Sequence, residues 1–228
     1  MPTQYFKKDT MSFLRKLANN NNRDWFNDHK TDYESAVRTP ALQFIEDIAG
    51  ELAIISPHFL ALPKKVGGSL MRVHRDTRFG KDKRPYKTNI GIQFRHEAGK
   101  DVHAPGFYIH IEPGECFLGV GIWRPDSTAL GKIRQRLDEK GEQWIAAIKD
   151  KKFSSHYELR GESLSRPPRG YDKTHPLLED LKRKDFIAIT PLEDDKVLSS
   201  PFLKTVLNRF NAGDEYMRFL CNALNLRY

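Results

Sequence analysis

Arg72, Arg75 and Arg78 stand three residues apart, and Lys83 and Lys87 follow closely. A guanidinium presents a rigid fork of donors that matches phosphate or carboxylate oxygens, so this spacing predicts an anion clamp. Asp76 lies within the set, placed to orient the arginines or to act as a base. Tyr86 follows Pro85, which fixes its approach, and neighbouring cations favour a phenolate for acid, base or nucleophilic work. The competing expectation for Tyr86 is a packing anchor. From Arg72 to Lys87 there are seven basic residues and two acids, Asp76 and Asp82, a local excess of +5 in a chain of net charge +8. A self-contained salt-bridge network is the alternative to a clamp, but two acids cannot neutralise seven cations.

The elements that must carry these residues follow from hydrophobic period. Phe6, Phe13, Leu14 and Leu17 predict a first helix that stops at the asparagine run, with Asn22 capping the next. That second helix carries Trp25, Phe26, His29, Tyr33 and Val37 and is predicted to end before Pro40, and a third runs from Leu42 to Ile55. The period then changes to two, with Met71 and Val73, Ile90 to Phe94, Phe107 to Ile111 and Leu118 to Ile122 as apolar faces. Pro113-Gly114-Glu115 is a hairpin signal between the last two runs. After Pro125, Asp126 or Ser127 caps a long helix reaching Ile148. A Pro- and Arg-rich loop, a short helix near Leu177, a strand at Phe186 to Ile189 and two more helices follow. The expected fold is a single α+β domain over 1–228, helical in 1–57, sheet in 68–124 and mainly helical in 126–228. Its antiparallel sheet of four or more strands is packed by the N-terminal and C-terminal helices.

On this frame Asp76 to Tyr86 connects two strands and is longer than a plain hairpin needs. Long charged loops on a rigid sheet commonly bind or catalyse. Alternation places Arg72, His74, Gln93, Tyr108, His110, Glu112 and Trp123 on the polar face, with Gly91, Gly119 and Gly121. Strand glycines mark a close approach, either by a ligand in a groove or by a packed element. Tyr108 joins the ligand-binding candidates, and His110 joins Asp76 and Tyr86 as a proton-transfer candidate. His74, His110 and Glu112 form only a weak metal set among so many cations, and neither a metal nor another cofactor is expected. The nucleophile elbow, the phosphate loop and the dinucleotide fingerprint are all missing.

An apolar run long enough to span a bilayer is also missing, and the start of the chain does not have a signal-peptide layout. With only Cys116 and Cys221, a free-thiol, cytoplasmic protein is expected. The motif R-x-x-R-D-x-R-F-x-x-x-K-x-x-Y, here Arg72, Arg75, Asp76, Arg78, Phe79, Lys83 and Tyr86, resembles the signature of a bacterial and fungal family of uncharacterised proteins, a domain of unknown function. The resemblance extends to Asn21–Phe26, Ala104–Gly114 and Arg169–Pro176, and it implies no reaction, cofactor or substrate. From the residues themselves an anionic, phosphate-bearing small molecule is the expected ligand, with catalysis open. The alternatives are a nucleic-acid-binding module using Phe79, Tyr86, Tyr108 and Trp123, and a structural or interaction domain. Asp172 and His175 in the Pro-rich loop either close over the groove or, for His175, cap the next helix.

Overall fold

The computed structural model describes residues 3–78, 81–99 and 104–228, so Phe79 of the motif lies outside the described residues. The helical N-terminal part consists of α1 (Lys8–Asn19), α2 (Arg23–Asp28), α3 (Lys30–Tyr33) and α4 (Thr39–Ile55). Phe13, Leu14 and Leu17 recur on one face of α1 and are buried. Asn22 caps α2 as predicted, accepting the Trp25 N–H at 2.9 Å.

Pro40 does not end a helix. A π turn at Glu34–Arg38 joins α3 to α4, and Pro40 sits in the first turn of α4. Proline has no N–H to give the carbonyl of Ala36 four residues back, and the buried Thr10 hydroxyl of α1 donates to that carbonyl at 2.7 Å. A partner from another helix therefore keeps the chain helical where sequence rules predict a stop.

The strands are β1 (Phe59–Leu60), β2 (Ile90–His96), β3 (Gly106–Ile111), β4 (Phe117–Ile122), β5 (Glu158–Arg160) and β6 (Phe186–Pro191). They form one antiparallel sheet in the order β1-β2-β3-β4-β6-β5. The β3–β4 turn closes with the Glu115 N–H on the Glu112 carbonyl at 2.9 Å, and Gly114 supplies the φ of +82° there. Met71–Val73, predicted as a strand, makes only ladder-like contacts at the edge of β2, where the Met71 N–H donates to Gly91 at 2.9 Å. Beyond that contact the chain leaves the sheet to pair with its own return segment.

Helices α5 (Ser127–Glu139), α6 (Gly141–Lys149), α7 (Lys151–Ser154), α8 (Leu178–Leu181), α9 (Asp194–Val197), α10 (Phe202–Ala212) and α11 (Asp214–Ala223) complete the chain. The long helix predicted after Pro125 is capped by Asp126 but breaks at Lys140, and a Cβ on Gly141 would lie 2.7 Å from Leu177 Cδ1, which would have to move aside. One continuous core runs from Tyr5 to Ala223, and Phe210 of α10 packs on Phe94 and Phe107. The opposite sheet face is uncovered: Tyr108, His110, Phe117, Ile187 and Ile189 are half-buried and Trp123 is 60% exposed. Among the described residues no helix is long and apolar enough to cross a membrane.

Candidate anion groove at the base of a basic hairpin

Residues 72–78 and 81–87 run back along one another. His74 bridges Tyr86, the Arg75 N–H donates to the Pro85 carbonyl at 2.8 Å, and the Lys87 N–H donates to Val73 at 2.7 Å. The long connection is thus a hairpin that leaves the sheet edge. Asn21 clamps it from the N-terminal helices: its Nδ2 donates to the Tyr86 carbonyl, and the Tyr86 N–H donates to its Oδ1, both at 3.0 Å. In this way the amide completes the hydrogen bonding of one residue as a neighbouring strand would. The Tyr86 ring stacks on Phe26 of α2 at 4.0 Å and is only 3% exposed. Burial of this kind makes Tyr86 the packing anchor of the hairpin.

Further along the hairpin, cations meet their own acids. Asp76 accepts Nε and Nη2 of Arg78 at 3.0 and 2.7 Å. Asp82 accepts Arg84 Nη2 at 2.7 Å and Arg75 Nη1 at 2.6 Å. These bonds, from Arg78 and from Arg84 above all, hold both carboxyls well below the usual range, which makes Asp76 a poor base and a good orienting group. Lys83 Nζ donates to the Thr77 carbonyl at 2.9 Å.

At the base of the hairpin the situation reverses. Arg72 and Lys87 line a groove of about 570 Å³ with Lys65 and Arg95, backed by Leu60, Leu62, Leu70 and Met71. Among the described residues neither the Arg72 guanidinium nor the Lys87 amine has a hydrogen bond or ion pair. Burial first, and then Arg72 and Arg75, push the pKa of Lys87 down. Glu97, the acid on the rim, is already engaged by His58 at 2.7 Å and Arg227 at 3.4 Å. A second cavity of about 600 Å³ beside α1 mixes charges of both signs (Lys7, Asp9, Lys16, Asp32) and includes none of the expected site residues.

Tyr108 and His110 belong to a different cluster on the open sheet face. His110 stacks on Phe117 at 4.6 Å, with Nε2 3.0 Å from Glu112 and Nδ1 3.1 Å from the Tyr108 hydroxyl and 3.3 Å from Asn89 Nδ2. An amide nitrogen only donates, so Nδ1 is the acceptor and Nε2 carries the proton to Glu112. Burial raises Glu112, but bonds from Thr88 and His110 outweigh it and leave the carboxyl lowered. Burial pushes Tyr108 up to about 12. Met71, which lines the groove, also reaches this cluster: a Cβ on Gly91 would lie 2.9 Å from its sulfur and 3.0 Å from the Tyr108 hydroxyl.

The face is therefore not hollow where glycines suggested it. Gly91 is filled by Met71, and Gly121 is demanded by its φ of +118° and by the Phe186 carbonyl. Gly119 alone of the three has ordinary room. His74 turns to Tyr86, away from His110 and Glu112, and no group of three His, Cys, Asp or Glu among the described residues is placed to hold a metal. His175 accepts the Leu177 N–H at 3.0 Å and meets Asp138 at 3.1 Å, which stabilises the turn before α8 without capping it, while Asp172 bonds Thr174. Sequence reasoning missed Lys65 and Arg95 as groove residues. Arg95 alternates with buried Phe94 and was detectable by period, whereas Lys65 is isolated in an irregular turn.

A family model described as "Conserved hypothetical protein (DUF2461)" matches residues 9–219. No curated protein and no solved structure matches the chain.

Proposed function

The chain belongs to that family of conserved hypothetical proteins, and we propose that this member binds an anionic, phosphate-bearing ligand in the groove at the base of the hairpin. The observation that carries this reading is the pair Arg72 and Lys87, adjacent cations lining one cavity with no carboxylate hydrogen-bonded to either among the described residues, Asp76 acting on Arg72 only through its charge. A phosphate there would accept the Arg72 fork and relieve the repulsion around Lys87, with Lys65 and Arg95 adding charge at the rim. Arg75, Arg78 and Lys83 support the reading indirectly, by shaping the hairpin with Asp76 and Asp82. Two free, buried cysteines support a reducing, cytoplasmic setting.

Thermal unfolding with inorganic phosphate and pyrophosphate tests the proposal. Ligand at 100 times its dissociation constant adds about 2.7 kcal/mol to the native state. Stabilisation is expected for wild type and for Arg75→Ala/Arg78→Ala, and is lost in Arg72→Ala/Lys87→Met. Loss in the first double variant instead, or no stabilisation of wild type, sinks the groove.

One observation favours nucleic acid as a second reading. Trp123, on the open sheet face, carries the Arg124 guanidinium over its ring at 4.7 Å, a stacking platform with a cation. Short single-stranded oligonucleotides would then show length-dependent binding that Trp123→Leu abolishes and phosphate does not mimic.

A further inference from the structure

Lys87 differs from the other groove cations. Lys65, Arg72 and Arg95 are exposed, whereas Lys87 is half-buried and its backbone is fixed in the hairpin ladder beside the anchored Tyr86. Its amine has no acceptor among the described residues, and its charged neighbours are the guanidiniums of Arg72 and Arg75. A lysine that is partly desolvated and set beside other cations is held toward the neutral amine, the nucleophilic form. A lysine kept only for its charge would gain from an acid partner or from full exposure, and among the described residues this one has neither.

We propose that Lys87 forms a Schiff base with an aldehyde or ketone that bears a phosphate or carboxylate group. The proposal rests on the reading of the groove as an anion site, because Arg72 would hold the anionic end while Lys87 attacks the carbonyl. The amine lone pair adds to the carbonyl carbon, and the C=O pair moves to oxygen, which takes up the proton that nitrogen releases. The resulting carbinolamine expels the hydroxyl, which leaves as water with the remaining nitrogen proton, while the nitrogen pair forms the C=N bond. One water leaves, and neither oxidant nor reductant is consumed. A volume of about 570 Å³ suits a small phosphorylated carbonyl compound.

Pyridoxal 5′-phosphate, followed by borohydride reduction and peptide mass spectrometry at neutral pH, is the direct test. Each unit by which the pKa is lowered raises the free-amine fraction about tenfold, so Lys87 should be labelled ahead of the exposed lysines. Inorganic phosphate should compete, pyridoxal without its phosphate should label more slowly, and Lys87→Arg should lose the label while keeping its circular dichroism spectrum. Two results separate the proposal from the reading beneath it. If phosphate stabilises the protein but Lys87 is labelled no faster than exposed lysines, the Schiff base is wrong and the groove stands. If Lys87 is labelled equally by both aldehydes and phosphate neither competes nor stabilises, the anion site fails and the proposed substrate class fails with it. Both results are read on the wild-type protein, so neither depends on a variant that folds.

Discussion

Arg72 and Lys87 at the base of the hairpin carry the same charge as Arg75, Arg78 and Arg84 further along, yet among the described residues only the second set is hydrogen-bonded to carboxylates. The outer pairs are local: Asp76 bonds Arg78 and Asp82 bonds Arg84, each two residues away, which fixes the course of the chain there. Exposed pairs of this sort add little to stability. Of the inner cations Arg72 is exposed, whereas Lys87 is half-buried at the cavity wall, where an unpaired charge is more costly. A high density of arginine alone thus does not separate cations that shape the chain from cations that line a cavity. The distinction lies in which cations lack a partner, and that depends on the fold.

The largest effect should come from the anchor that both halves share. Tyr86→Ala removes a buried ring stacked on Phe26 and is expected to destabilise by about 3–5 kcal/mol. Asn21→Ala leaves two backbone groups of Tyr86 unpaired and should lose about 2 kcal/mol. Chemical denaturation measures both. A neutral Tyr86→Ala would mean that the hairpin does not fold as a unit with α2, and the contrast between its base and its outer part would lose its physical basis.

Much of this was legible beforehand, and the failures have identifiable causes. Strands β2, β3, β4 and β6 alternate over five or more residues and could be read, while β1 and β5 span two and three residues, too few to show a period. Pro40 misled because the partner of the Ala36 carbonyl, Thr10, is remote in sequence. Charge located the hairpin, and arginine spacing singled out Arg75 and Arg78, whose pairing with Asp82 and Asp76 the structure shows, while spacing gave no sign that Lys65 and Arg95 line the groove. Pairing with an acid two residues away was visible in the sequence, whereas convergence on a groove from residues 65 to 95 was not. The Tyr108–His110–Glu112 cluster was correctly placed on one face by period, but the filling of the Gly91 position by Met71 was not legible, because it depends on an edge segment with too little ladder to show a register.

A smaller effect distinguishes the base itself. Lys87 has a lowered pKa in the folded state, so the unfolded chain binds more protons between the folded value and the ordinary lysine value. Removing the charge with Lys87→Met should therefore stabilise the protein near neutrality, by under about 1 kcal/mol because half the side chain stays near water. That advantage should shrink as pH rises toward the ordinary lysine range. Urea midpoints across alkaline pH would show it. A variant less stable than wild type at every pH would mean that the stem of Lys87 matters more than its charge.

The smallest change is expected at the outer pairs. The folded-state pKa of Asp82 is depressed by Arg84 and then by Arg75, so its contribution is present above the ordinary aspartate range and is lost as pH falls toward the lowered value. Asp82→Asn should lower the melting temperature slightly at neutral pH, with the difference fading in acid and in molar salt. The same variant releases Arg75, the guanidinium that separates the two halves of the hairpin. If base and outer part are independent, phosphate affinity in the groove should not change. A clear gain in affinity would show that Asp82 restrains a third member of the anion site, and that pairing in this hairpin regulates the groove as well as shaping the chain.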